Sequence, residues 1–169
     1  MSITMYQASV PVFVRAMTNL RHVLQKGEAF AVDKGFAPEV LVQTRLIADM
    51  LPLSRQVQIA ADMAKNGSYR LAGLEPPKLE DDETTFAQLY ARLDRTVELL
   101  NQLTAQQIDG SEARDITLQM RTGEMHFKGQ SYLLDFVLPN LFFHATATYA
   151  ILREAGVPIG KMDYIGAPR

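Results

Sequence analysis

Apolar residues recur at helical spacing along four long stretches of the chain. In the first, Ser2 to about Lys26, residues Tyr6, Val10, Phe13, Met17, Leu20 and Leu24 alternate four- and three-residue steps, which makes one stripe on a helix. Gly27 supplies a stop signal, and Pro11 predicts either a late start or a kink. Ala29 to Pro38 reads as a connector with a turn at Asp33-Lys34-Gly35. A second helix is predicted from Pro38 or Glu39 to Lys65, closing at Asn66-Gly67. Leu46, Met50, Leu53, Val57, Ala60 and Ala64 share its inner face, although Pro52 interrupts the pattern. Arg70 to Glu83 reads as a crossover loop anchored by Leu71, Leu74 and Leu79. The third helix runs from about Thr84 to Thr104, with Thr85 and Gln88 spaced as a capping box and an inner stripe from Phe86 to Leu103.

The period then changes. Ile116, Leu118 and Met120 alternate with Thr117, Gln119 and Arg121, and Met125 and Phe127 flank His126, so 109–128 predicts a small hairpin turning at Thr122-Gly123. A lone hairpin is marginal and should dock on the helices. The last stretch, Tyr132 to Leu152, is apolar nearly all round, which predicts burial among other helices. Asp135, Pro139, Asn140 and His144 interrupt it too often for a membrane span. A break at Pro139 would divide it into a short piece and a long one, with Gly156 as the end and Val157 to Arg169 as an ordered tail. The sum is an all-α four-helix bundle over residues 1–169, one domain, with a β-hairpin between helices three and four. Long connections mean that an up-down order does not follow.

Composition narrows the function classes more than it selects one. A 169-residue chain with 47% hydrophobic residues can bury a sizeable core. Its net charge of −2 gives no pull towards nucleic acid or an anionic membrane. Without cysteine there are no disulfides, thiolate metal sites or thiol nucleophiles. The N-terminal segment has neither a basic start nor a long apolar run, so the expected location is cytoplasmic.

Three histidines are the main chemical candidates. His22 lies off the inner stripe of the first helix, and His126 faces away from Met125 and Phe127, so both read as surface residues. His144 sits in the most apolar stretch. A buried imidazole must bond at both nitrogens or coordinate something. Asp49 and Gln56 lie seven apart on one side of the second helix and could face it. Asp62 and Lys65 read as a solvated face. No glycine-rich loop, paired-carboxylate motif or HExxH helix is present.

Several blocks together resemble a family: Asp49-Met-Leu-Pro-Leu with Gln56-Val-Gln, Arg70-Leu-Ala-Gly, the helix start at Thr84, Leu138-Pro-Asn-Leu-Phe-Phe-His144, and Tyr149 through Lys161. The sequence is similar over nearly its whole length to a bacterial domain-of-unknown-function branch of the DinB/YfiT-like superfamily. That resemblance implies a DinB-type four-helix bundle, commonly a homodimer, among candidate metalloenzymes. Metal-bearing members carry one histidine on helix two and two histidines four apart on the last helix. Here His144 occupies the first place of that last pair, Thr148 stands where the second would fall, and helix two has no histidine. Zinc or nickel normally takes three protein ligands of nitrogen or sulfur character, so His144 with Asp49 or Gln56 would be a poor site.

Three readings follow. A small-molecule-binding or degenerate enzyme domain would have its polar pocket at His144, Thr148, Asp49, Gln56 and Tyr149, needing no cofactor. A divalent-metal enzyme of hydrolase or transferase type would use His144 with an altered ligand set. A dimeric interaction module would pair helices across a two-fold axis.

Overall fold

The computed structural model describes residues 2–120 and 122–168. Its long helices are α1 (Val10–Lys34), α3 (Leu53–Leu71), α4 (Phe86–Asn101) and α7 (Leu138–Glu154). Shorter ones are α2 (Glu39–Gln43), α5 (Ala105–Ile108), α6 (Gly129–Ser131) and α8 (Lys161–Ile165). Strands β1 (Asp115–Met120) and β2 (Gly123–Lys128) form the hairpin. Helices α1 and α3 touch one another and each packs on both α4 and α7, so α4 and α7 flank that central pair. This is the expected four-helix bundle with a hairpin between its third and fourth long helices.

Two sequence boundaries move for the same reason. Helix α1 starts late, with Pro11 in its first turn, and then passes through Gly27 to end at Gly35, which takes a left-handed φ of 74°. Helix α3 likewise passes through Asn66-Gly67 to Leu71. Both glycines mark close helix crossings rather than stops. A Cβ on Gly27 would lie 2.9 Å from Leu152 Cδ2 of α7, and one on Gly67 would lie 2.7 Å from Val137 Cγ1.

The single second helix of the sequence reading is two. Pro52 is the N-cap of α3, with extended backbone, and 44–52 is an irregular bridge from α2. Leu53, Val57, Ala60, Ala61 and Ala64 are buried as the stripe predicts, whereas Leu46, Ile47 and Leu51 on the bridge are exposed. Helix α4 begins where expected, its capping box closed by Gln88 N donating to Thr85 Oγ1 at 3.3 Å and Thr85 N donating to Gln88 Oε1 at 3.1 Å.

The hairpin pairs Ile116 with Phe127 and Leu118 with Met125. Ile116 and Leu118 are buried, and Phe127 stacks near Tyr132 and Phe136, so the root of the ribbon docks on the bundle. Arg121, assigned to its outer face, lies outside the described residues.

The last helix does not break at Pro139. Tyr132–Val137 is π-helical and runs directly into α7, so the backbone widens one turn ahead of a proline that has no N–H to donate. Nor is this helix buried all round. Leu141, Ala145, Thr148, Ile151 and Leu152 are enclosed, but Phe142 is 40% and Phe143 59% exposed. No described helix is long and apolar enough to cross a membrane.

Candidate functional site

The seam between α3 and α7 holds the polar pair that the sequence singled out. Gln56 sits in the first turn of α3, only 2% exposed, because Pro52 starts the helix and leaves Leu51 O pointing back at it. Gln56 Nε2 donates to that carbonyl at 3.1 Å. This fixes the amide oxygen as an acceptor, and it lies 2.7 Å from His144 Nδ1. His144 Nδ1 must therefore carry the proton, which leaves Nε2 with its lone pair. The ring is half-buried at the seam rather than sunk in the bundle centre. Burial alone pushes its pKa below the ordinary histidine value, favouring the neutral ring. Phe143 meets it edge-on, with ring centroids 5.2 Å apart.

The other candidates divide. Thr148 is fully buried, but its hydroxyl donates to His144 O at 3.0 Å, a local helix bond that does not reach the imidazole. Asp49 is exposed on the irregular bridge, where no described bond joins it to His144 or Gln56. Breaking the second helix at Pro52 removes the seven-residue alignment that placed Asp49 beside Gln56. Tyr149 turns to the tail and packs edge-on against Tyr164 at 5.8 Å. His126 is exposed with its Nδ1 3.1 Å from Thr117 Oγ1, and His22 is half-exposed beside Asp163 of α8.

Beside the pair, the bridge and α7 enclose an open groove of about 450 Å³. Leu46 and Met50 form one wall, and Pro139, Phe142, Phe143 and Ala147 the other. Phe143 is thus both groove wall and neighbour of the imidazole. His144 adjoins the groove through Phe143 and is not itself part of its lining, whose side-chain hydroxyl is that of Thr146, 3.0 Å from the Tyr164 hydroxyl.

A profile of the family described as a domain of unknown function, DUF1993, matches residues 5–165. The chain belongs to the DUF1993 family. The crystal structure of a DinB family member from Shewanella denitrificans is similar to this DUF1993 chain at 37% identity and a TM-score of 0.89, covering 96% of this chain and 92% of that one. The family is accordingly DinB-like in fold. A search of curated proteins gives no match.

The donor set of this DUF1993 chain does not fit the metal its superfamily implies. His144 is the one imidazole at the seam, its Nδ1 is engaged by Gln56, and the Thr148 hydroxyl is turned to the backbone. No three His, Asp or Glu side chains gather into a potential site among the described residues.

One cluster was misread from the sequence. Asp62 and Lys65 are part of a buried charge knot centred on Arg92, whose side chain is 1% exposed. Arg92 Nη2 lies 3.0 Å from Asp62 and 2.9 Å from Asp81, and Nη1 lies 2.9 Å from Glu83 and 2.8 Å from Glu80 O. Lys65 adds a bond to Pro77 O at 2.7 Å. Charge fastens the crossover loop together with one of the expected leucines: Leu71 is fully buried, Leu79 is partly buried and Leu74 is exposed. The signal was present: Arg92 is three residues past Leu89, inside the inner stripe, and the loop carries acids to meet it.

Proposed function

We propose that this protein is a ligand-binding member of the DinB-like fold that works without a resident divalent metal. Its ligand is a small neutral molecule with an O–H or N–H donor on an apolar body. The donor bonds to His144 Nε2, and the body reaches past Phe143 towards Leu46 and Met50. The observation supporting this reading is the two-sided anchoring of Gln56, which orients the imidazole as an acceptor. An apolar groove with few well-placed polar groups is the usual form of a small-molecule site.

Histidine ¹⁵N NMR tests the proposal. His144 should show a protonated Nδ1 and an unprotonated Nε2, and substituted phenols should shift Nε2 saturably. An Nε2-protonated tautomer, or a ring indifferent to every donor-bearing probe, would sink it. Equilibrium dialysis against zinc and nickel should give well under one ion per chain; stoichiometric uptake lost in His144→Ala would favour the metal enzyme instead.

A second reading, pairing of two copies, is supported by the exposure of Ile47, Leu51, Phe142 and Phe143 on the bridge and α7. Light scattering decides it: Phe143→Lys should convert a dimer to a monomer, and a monomeric wild type at micromolar concentration would dispose of it.

A further inference from the structure

The C-terminal helix α8 lies across α1 and closes a second hollow, of about 210 Å³. Val12, Ala16 and Leu20 of α1, Phe142 and Ala145 of α7, and Tyr164 line it. Phe142 borders both this hollow and the groove of the bridge, but the α1 residues and Tyr164 line only this one and Leu46, Met50 and Phe143 only the other. Arg15 and Asn19 stand at its rim. The Arg15 guanidinium donates to Ile165 O at 3.0 Å and Ala167 O at 2.9 Å, and Asn19 Nδ2 to Ile165 O at 2.7 Å and Tyr164 O at 3.1 Å. Among the described residues, every acceptor of Arg15 is a neutral carbonyl and no carboxylate pairs with it.

Capping of α8 accounts for where these two side chains point. It does not account for the hollow, which close packing would normally fill. The structure assigns this cleft as a binding site for a small aromatic carboxylate. An apolar cavity of about 150 Å³ accepts one benzene ring, so 210 Å³ suits a single ring bearing a short acid. The ring packs on Val12, Ala16, Leu20 and Phe142, and the carboxylate takes the guanidinium fork. The guanidinium's bonds to carbonyls carry charge on one side only, whereas a carboxylate adds the opposite charge and matches the fork bidentately, so the acid displaces the chain beyond Ile165. Helix α8 itself stays, because Asn19 still holds its last turn and Lys26 still holds Asp163.

Titration of the full-length protein with sodium benzoate, followed by backbone amide NMR, tests the assignment. Saturable millimolar binding should shift Ala16, Phe142, Ala145 and Tyr164 and raise the mobility of Gly166 and Ala167. Benzyl alcohol, and benzoate with Arg15→Gln, should each bind about tenfold more weakly. Ala16→Leu, which fills the hollow and leaves Arg15 in place, should abolish both. Absence of shifts at these residues, equal affinity for acid and alcohol, or undiminished benzoate binding to Ala16→Leu overturns it.

Discussion

Gln56 shows how much one amide can decide. With its nitrogen committed to Leu51 O and its oxygen to Nδ1, the imidazole has no choice of tautomer. Gln56→Leu should cost about 1–2 kcal/mol in urea unfolding, since it strands the Leu51 carbonyl while the half-buried ring recovers water. It should also mix the two tautomers of His144, visible in ¹⁵N spectra. Protonation has a definite sign here. Burial lowers the folded pKa of His144 below the unfolded value of about 6.5, so the unfolded chain binds more protons in that window. Its contribution is complete above about pH 6.5 and is lost as the pH falls towards the folded pKa. Between pH 7 and pH 5 the wild-type urea midpoint should therefore drop more than that of His144→Gln. Both partners were readable in the sequence, because a polar residue in an apolar helical stripe stands out. Asp49 was not readable, since its placement depended on an unbroken helix across Pro52.

At the scale of elements, glycine carried two meanings that local pattern does not separate. Gly35 ends a helix, while Gly67 lets α3 approach the π-helical segment against Val137. Valine is stiff at χ1 and cannot swing aside, so Gly67→Ala should destabilise the protein by about 1–3 kcal/mol despite better helix propensity. Pairing it with Val137→Ala should recover part of that loss, a coupling that a double-mutant cycle in urea measures. Only tertiary contact distinguishes such a crossing from a stop. The same holds for α8, whose role is not legible in the tail sequence. Asp163 is bonded to Lys26, and with the Gly160 N–H and His22 this draws its carboxyl down to about 2. A depressed carboxylate stabilises above its unfolded value, near 4, and loses that effect as the pH falls through about 2. Amide protection factors of 161–165, corrected for the intrinsic rate, should accordingly fall below pH 4, and Asp163→Asn should show the low protection at neutral pH.

For the whole molecule, the fold class was legible because periodicity and connection length survive small boundary errors. Of the charge knot, Arg92 in the inner stripe was legible, but its pairing was not, since Asp62, Asp81 and Glu83 lie on segments that meet it only in the folded chain. Burial works against ionisation of Asp81, yet the bond from Arg55 and the charge of Arg92 hold its carboxyl below the usual range. Arg92→Met should leave Asp62, Asp81 and Glu83 without their shared cation. A loss of about 3 kcal/mol in urea unfolding is expected, with earlier proteolysis between residues 72 and 85.

The widened turn at Tyr132–Val137 holds more backbone per revolution than an ordinary α-turn. Deleting one residue there would let normal hydrogen bonding resume while swinging everything downstream by about 100°. The imidazole would be carried away from its amide partner with no change to either side chain. The angular phase of the seam is thus stored about two turns upstream of His144, in a count of residues rather than in their identities.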